Sequence, residues 1–402
     1  LANQLLTITM ITKEALRILE NMLTFTKQVN RKYDSQFGKD GAKIGSILNV
    51  RKPVRYVDAQ GQGLVLQDAV ETSVPVALTT QYQRAFTFAS ADLALSIDEY
   101  SKRFIKPALA SLANQIDRDG LGQYINISNS VGTPGSPLAT ADIILQAGQK
   151  LNEEAAPMDR SIVLAPAQQR TMVAALTGFF NPQVTISTQY RKGLMTKDTL
   201  GFDFYMDQNV VTNTVGPLGG SPTMSATAGQ TGSSIVTTGW TAAAASRLLQ
   251  GNIITIAGVN AVNPQSHQDT GSLRQFVVTA PFSSDGSGNG TVNISPAIIT
   301  SGPFQTVTVA PAGLAVITVL GAANTVSPQG LAFHEDAFTF ACADLPLPGG
   351  VDMAARKSDD QLGMSIRAIR AYDINQDRWP LRLDLLGGWA TLYQELAVRL
   401  ES

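Results

Sequence analysis

Residue types able to do chemistry are scarce in this 402-residue chain and poorly spaced for it. His334, Glu335 and Asp336 form its histidine–carboxylate run. Three consecutive side chains diverge, however, and no second histidine or cysteine completes a metal set, so a surface turn or helix start is the favoured reading. The pairs Asp98/Glu99 and Glu153/Glu154 could act as acid and base, but both lie in or beside helical patterns, where carboxylates are routine solvated surface. The runs DGSGNG and GQG are glycine-rich without the Lys-Ser/Thr or the strand–turn–helix setting of a phosphate loop. Cys342 sits among Phe338, Phe340 and Ala341 and reads as a buried, inert thiol. The pattern points away from an enzyme, with no catalytic residue, cofactor or metal expected.

Charge and cysteine usage narrow the class further. A net charge of −2 and a pI near 5.8 give no basic surface for gripping phosphate backbones. One cysteine excludes an intrachain disulfide framework and fits a reducing compartment. The opening LANQLLTITM has no positive n-region, and no apolar run is long enough to span a bilayer, so a chain cytosolic when made is expected. Leu1 in place of Met reads as a non-standard start codon translated literally.

The more telling charges lie on residues 41–90, where two strand-like arms flank AQGQG, with Gly61 and Gly63 suited to a turn. The first arm carries Arg51, Lys52, Arg55 and Asp58, the second Asp68 and Glu71. A long hairpin with opposite charges on its arms is poorly suited to its own core and is expected to reach another subunit.

The elements around it fall into distinct styles. Residues 12–33 have helical spacing, with Thr12 as the expected N-cap. A second helix opens with a Ser96/Glu99 capping box and repeats apolar residues from Ile97 to Ile116; Pro107 should kink it. Residues 140–205 alternate helix and strand. Between 210 and 327 only Arg247, Asp269, Arg274 and Asp285 are charged, and short β runs punctuated by Gly and Pro predict an inserted barrel or sandwich. From Gly330 strands return. GMSIRAIRAYD, WPLRLDLLGGW and LAVRL are expected to form one sheet. The closing GGWATLYQELAVRLES keeps strand character with no turn residue after Gly388, and a chain end of that kind has to be tied into a sheet.

In order and coverage, NQLLTITMITKEALRILENMLTFTKQVNRKYD, IGSILNVRKPVRY, DAVETSVPVALT, LALSIDEYSKRFIKPALASLAN, GFDFYMDQNV and GWATLYQELAVRL resemble the coat-protein family of phage P22, major capsid proteins of tailed double-stranded-DNA phages. The resemblance implies an α+β fold of the Hong Kong 97 capsid type. Its parts are an N-terminal arm (1–40), an extended loop (41–90), the spine helix of a peripheral domain (91–139), an axial domain (140–214 and 329–363), an inserted β domain (215–328) and peripheral C-terminal strands (364–402). It also implies self-assembly as hexamers and pentamers into a virion shell around DNA, built in the host cytoplasm with scaffolding and portal proteins and optionally a decoration protein, with no cofactor and no membrane. Arg51, Lys52, Arg55, Asp58, Asp68 and Glu71 are then the candidate inter-subunit contacts. A host nanocompartment shell is the nearest alternative, and a β-rich binding module or glycan-active enzyme the more distant one.

Overall fold

The computed structural model describes residues 8–31, 47–57, 66–88, 101–176, 199–359, 363–375 and 378–402. Helix α1 (Ile8–Met22) is followed by strands β1 (Ile47–Arg51), β2 (Ser73–Ala77) and β3 (Thr80–Phe88), and a π-helical turn, Ser101–Ile105, runs into α2 (Lys106–Leu121). Next come β4 (Ser130–Gly132), α3 (Ala141–Glu153), β5 (Arg160–Leu164), α4 (Pro166–Leu176), β6 (Asp203–Met206) and β7 (Thr212–Thr214). Eight strands follow: β8 (Gly220–Met224), β9 (Gly232–Trp240), β10 (Ala245–Leu248), β11 (Ile253–Val262), β12 (Asp269–Val278), β13 (Phe282–Ser284), β14 (Gly290–Ile298) and β15 (Ile317–Val319). The chain closes with β16 (Val326–His334), β17 (Phe338–Ala343), β18 (Met353–Asp359), β19 (Met364–Arg370), β20 (Trp379–Thr391) and β21 (Ala397–Glu401).

These elements form two compact units. The first contains Leu1–Arg51, Ser73–Gly120 and Phe338–Leu392; the second contains Lys52–Thr72, Leu121–Ala337 and Tyr393–Ser402.

In the first unit β17, β20, β19 and β18 pair in that order, and β3 also pairs with β20, all antiparallel. Alternation puts Leu381, Leu383 and Leu385 of β20 fully inside. Asp384 between them is fully buried as well, which its two arginines make tolerable: Arg367 Nη2 lies 2.7 Å and Arg382 Nε 2.6 Å from the carboxylate. Phe25, Phe338, Phe340 and Trp389 fill the core with ring centroids 4.8–5.6 Å apart. Gly120 on α2 makes room for them, since a Cβ there would lie 2.5 Å from the Trp389 ring.

Helix α1 differs from its sequence reading at both ends. The chain is already helical at Ile8, so Thr12 is an interior residue, fully buried, and its hydroxyl donates to the Thr9 carbonyl at 3.0 Å. The apolar face reaches a turn further back than the cap pattern suggested, because Ile11 lines up with Ala15 and Leu19. At the other end, buried Asp117 of α2 accepts the N–H groups of Thr24 (2.8 Å) and Thr26 (3.0 Å) and the Thr26 hydroxyl (2.5 Å). A continuing helix would have sent those N–H groups to its own carbonyls; captured by Asp117, they end it, and a short 3-10 turn follows at Thr26–Gln28. The irregularity expected at Pro107 lies just upstream, in the π turn that runs directly into α2, where Pro107, the second α-helical residue, has no N–H to give to a carbonyl of that turn. The Ser96/Glu99 box, Tyr33 and the turn at 59–63 lie outside the described residues.

The second unit holds a mixed sheet ordered β4-β21-β16-β5-β6, parallel at β4/β21 and β5/β6 and antiparallel between β21, β16 and β5; β7 also pairs with β16. Ile144, Ala147 and Leu151 of α3 and Met172 of α4 bury against Ile162, Leu164, Ala332, Val398 and Leu400 of that sheet. The expectation of one terminal sheet is corrected here. β19 and β20 belong to the first unit, whereas β21 lies between β4 and β16 in the second. Residues 338–359 belong to the first unit as β17 and β18.

The charge-poor strands form a ring in the same unit. Their sheet runs β15-β11-β12-β14-β9-β8, and its two end strands meet: the Met224 N–H donates to Ala315 O (2.8 Å), the Leu314 N–H to Ser225 O (3.1 Å), and Thr223 bridges Val316. Closure satisfies the edges that six strands would otherwise leave open. Ile254, Ile256, Phe276, Val292, Ile294 and Trp240 fill the interior, and Trp240 packs on Phe282 with centroids 5.3 Å apart. Of the four charges in this stretch, Arg247 and Arg274 are buried.

Candidate functional site

The charged hairpin opens from a short antiparallel ladder. β1 and β2 pair from Ile47↔Ala77 to Arg51↔Ser73, and the Lys52 N–H adds a rung to Thr72 O at 2.7 Å. Further out, the Gln67 side chain replaces a backbone rung: its carbonyl accepts the Val57 N–H at 2.7 Å and its amide donates to Val57 O. One side chain thereby holds the two legs of residues 52–72 in register.

The legs expose apolar side chains. Leu66 is 84% exposed, Tyr56 58% and Val70 51%. Asp68 and Glu71 are exposed beside them, as is Arg51 at the end of β1. Asp58 lies outside the described residues.

Two of the expected basic contacts are held within the chain. Arg55 Nη2 lies 2.5 Å from Glu395 Oε1, and Lys52 Nζ sits 4.7 Å from the centroid of the Tyr393 ring. Burial holds the Lys52 ammonium below its ordinary value, with Glu395 opposing the shift and Arg55 adding to it. The four residues line a cleft of about 710 Å³ together with Pro157, Val262, Pro296 and Phe304, and Glu154 and Arg274 are among its polar residues.

Glu154 corrects the expectation of a solvated acidic pair. It is 8% exposed and lies 2.5 Å from Arg274 of β12; burial pushes its carboxyl up, opposed by the guanidinium beside it. The ion pair helps fasten the ring to the mixed sheet, together with Gln275, whose side chain exchanges two hydrogen bonds with the Ser130 backbone at 2.7 and 2.9 Å, and Asn263, which donates to Glu153 O at 2.8 Å. Neither Glu154 nor Glu395 has a neighbour in sequence that announces its partner.

His334, Glu335 and Asp336 occupy the end of β16 and a 3-10 turn, with His334 Nδ1 3.7 Å from Asp336. Among the described residues no group of three or more His, Cys, Asp or Glu is placed to hold a metal, and no helix is long and apolar enough to cross a membrane. Cys342 is buried and accepts the Ser365 N–H at 3.3 Å.

The family described as "P22 coat protein - gene protein 5" matches residues 2–400. No curated protein matches the chain. Similar solved structures include a Mycobacterium phage Che8 chain (11% identity, 94% of this chain and 90% of that one, TM-score 0.49). Others are the capsid of cyanophage P-SCSP1u (11%, 90% and 84%, TM-score 0.41) and a virus-like particle from Pyrococcus furiosus (8%, 97% and 97%, TM-score 0.38).

Proposed function

We propose, because the chain belongs to the P22 coat protein family, that its copies close as hexamers and pentamers into the icosahedral head shell around packaged double-stranded DNA. Membership makes it a shell-forming coat protein, a structural component of the virion that assembles with itself. The finer reading is a Hong Kong 97-type subunit. In it α2 is the spine helix of the peripheral domain, residues 52–72 the extended loop laid over a neighbour, the mixed sheet with α3 and α4 the axial domain, and the closed ring the inserted domain. Scaffolding and portal proteins, and where present a decoration protein, join it in the host cytoplasm.

The observation that carries the assembly reading is the exposure of Tyr56, Leu66 and Val70 on a loop whose legs are pinned in register. Covering one such side chain gains about 1.5–3 kcal/mol, and a shell repeats the gain at every contact. The charges of the loop, Arg51, Lys52, Arg55, Asp58, Asp68 and Glu71, then set register on the neighbour and add little strength, since exposed ion pairs contribute only about 0–1 kcal/mol each. A chain with a net charge of −2 is consistent with enclosing DNA without gripping it.

Replacing Leu66 and Val70 by Asp tests this. Both side chains are exposed, so the subunit keeps its fold. Losing about 1.5 kcal/mol or more per contact raises the concentration at which shells appear by about tenfold or more. Light scattering against subunit concentration reads the onset; an onset equal to that of the unaltered chain would sink the loop's role.

A further inference from the structure

The basic leg of the loop is engaged where the apolar positions are open. Arg55 pairs with Glu395 at 2.5 Å, and that carboxylate side chain is only 15% exposed. Lys52 lies over Tyr393, and its backbone closes the loop's base on Thr72. Tyr393, Gln394 and Glu395 belong to the segment that joins β20 to β21, and Gln394 is itself tied to Ser295 of β14 by a 2.9 Å hydrogen bond. The loop is thus moored at one end to a segment anchored on the ring, and the same residues line a cleft of about 710 Å³.

We propose that Arg55–Glu395 and Lys52–Tyr393 form a latch that fixes the direction of the two legs, residues 52–57 and 66–72, and so selects one curvature among the shells that the loop could build. The inference rests on the reading of residues 52–72 as the assembly loop. An exposed apolar finger free to swing contacts neighbours at several angles; held by two charged contacts at its base, it presents Tyr56, Leu66 and Val70 at one. An ion pair suits the task because it can be exchanged for a neighbour's charged group without leaving a buried charge unpaired.

The test combines Glu395→Gln with Arg55→Gln, the charge-exchanged pair Arg55→Glu with Glu395→Arg, and Leu66→Asp as the control for the loop itself. Amide exchange of the unassembled subunit reads the latch at Lys52 and Val57, and electron microscopy of assembled material reads curvature. Each single latch variant is expected to raise exchange at those amides severalfold and to turn uniform shells into mixed sizes, open sheets or tubes, and the exchanged pair is expected to restore uniformity. Uniform shells from both Glu395→Gln and Arg55→Gln overturn the latch, whatever their exchange. If Leu66→Asp still raises the concentration at which shells appear in that case, the loop's role stands without the latch; if Leu66→Asp assembles at the same concentration as the unaltered chain, both fall.

Discussion

Gly388→Ala is expected to destabilise the subunit by about 3 kcal/mol or more, the upper range for overpacking a core. A Cβ on residue 388 would lie 1.9 Å from the Ala77 carbonyl oxygen and 2.8 Å from its carbon. Both are backbone atoms, so no side chain can rotate away, and β2 would have to leave its place beside β20. β2 is also the second arm of the hairpin, which makes Gly388 the residue that lets the loop's root seat against the five-stranded sheet. Urea unfolding of the unassembled chain should show the loss, whereas Gly122→Ala, where nothing lies within 4 Å of the added Cβ, should change stability by no more than about 1 kcal/mol. Equal midpoints for Gly388→Ala and Gly122→Ala would contradict this packing.

The second large effect is expected at Arg399. Its side chain is fully buried in β21; Nε donates to Gln329 at 2.8 Å, Nη1 donates to Gly251 O at 2.6 Å, Nη2 lies 2.8 Å from Glu401, and the guanidinium stacks 5.1 Å from the Tyr124 ring centroid. Burial pulls its pKa below the ordinary arginine value, opposed mainly by Glu401. Arg399→Leu strands the Glu401 carboxylate in the interior, where the Ser130 hydroxyl still donates to it at 3.0 Å but no cation balances its charge, a loss of about 3–5 kcal/mol. Adding Glu401→Leu should return part of that loss, because two apolar residues leave no buried charge. A double variant less stable than Arg399→Leu alone would show that the pair is not coupled as the geometry requires.

Alternation made β20 legible from Leu381, Leu383 and Leu385, and the break in charge at 210–327 marked the ring before its strands were seen. Alternation names a strand and not its partner, however. LAVRL was readable as a strand, yet its neighbours β16 and β4 lie far back in the chain, and a sheet with WPLRLDLLGGW was the nearer, mistaken choice. Thr12 looked like a cap because a hydroxyl before an apolar run is a local sign, whereas the burial of Ile11 and the capture of Thr24 and Thr26 by Asp117 are tertiary facts. The charges on the hairpin were equally visible, but pairing Arg55 with Glu395 depends on a segment more than three hundred residues away. Glu154 was read as solvated for the same reason, since its partner Arg274 comes from the ring.

As a coat protein, this chain is expected to build a closed shell from copies of itself. Negative-stain electron microscopy with sedimentation velocity on the purified chain, alone and with a scaffolding protein, reads that shell directly. Closed particles or shell-like tubes sedimenting far ahead of the subunit are the expected result. A folded monomer that forms no particles under either condition would contradict the claim.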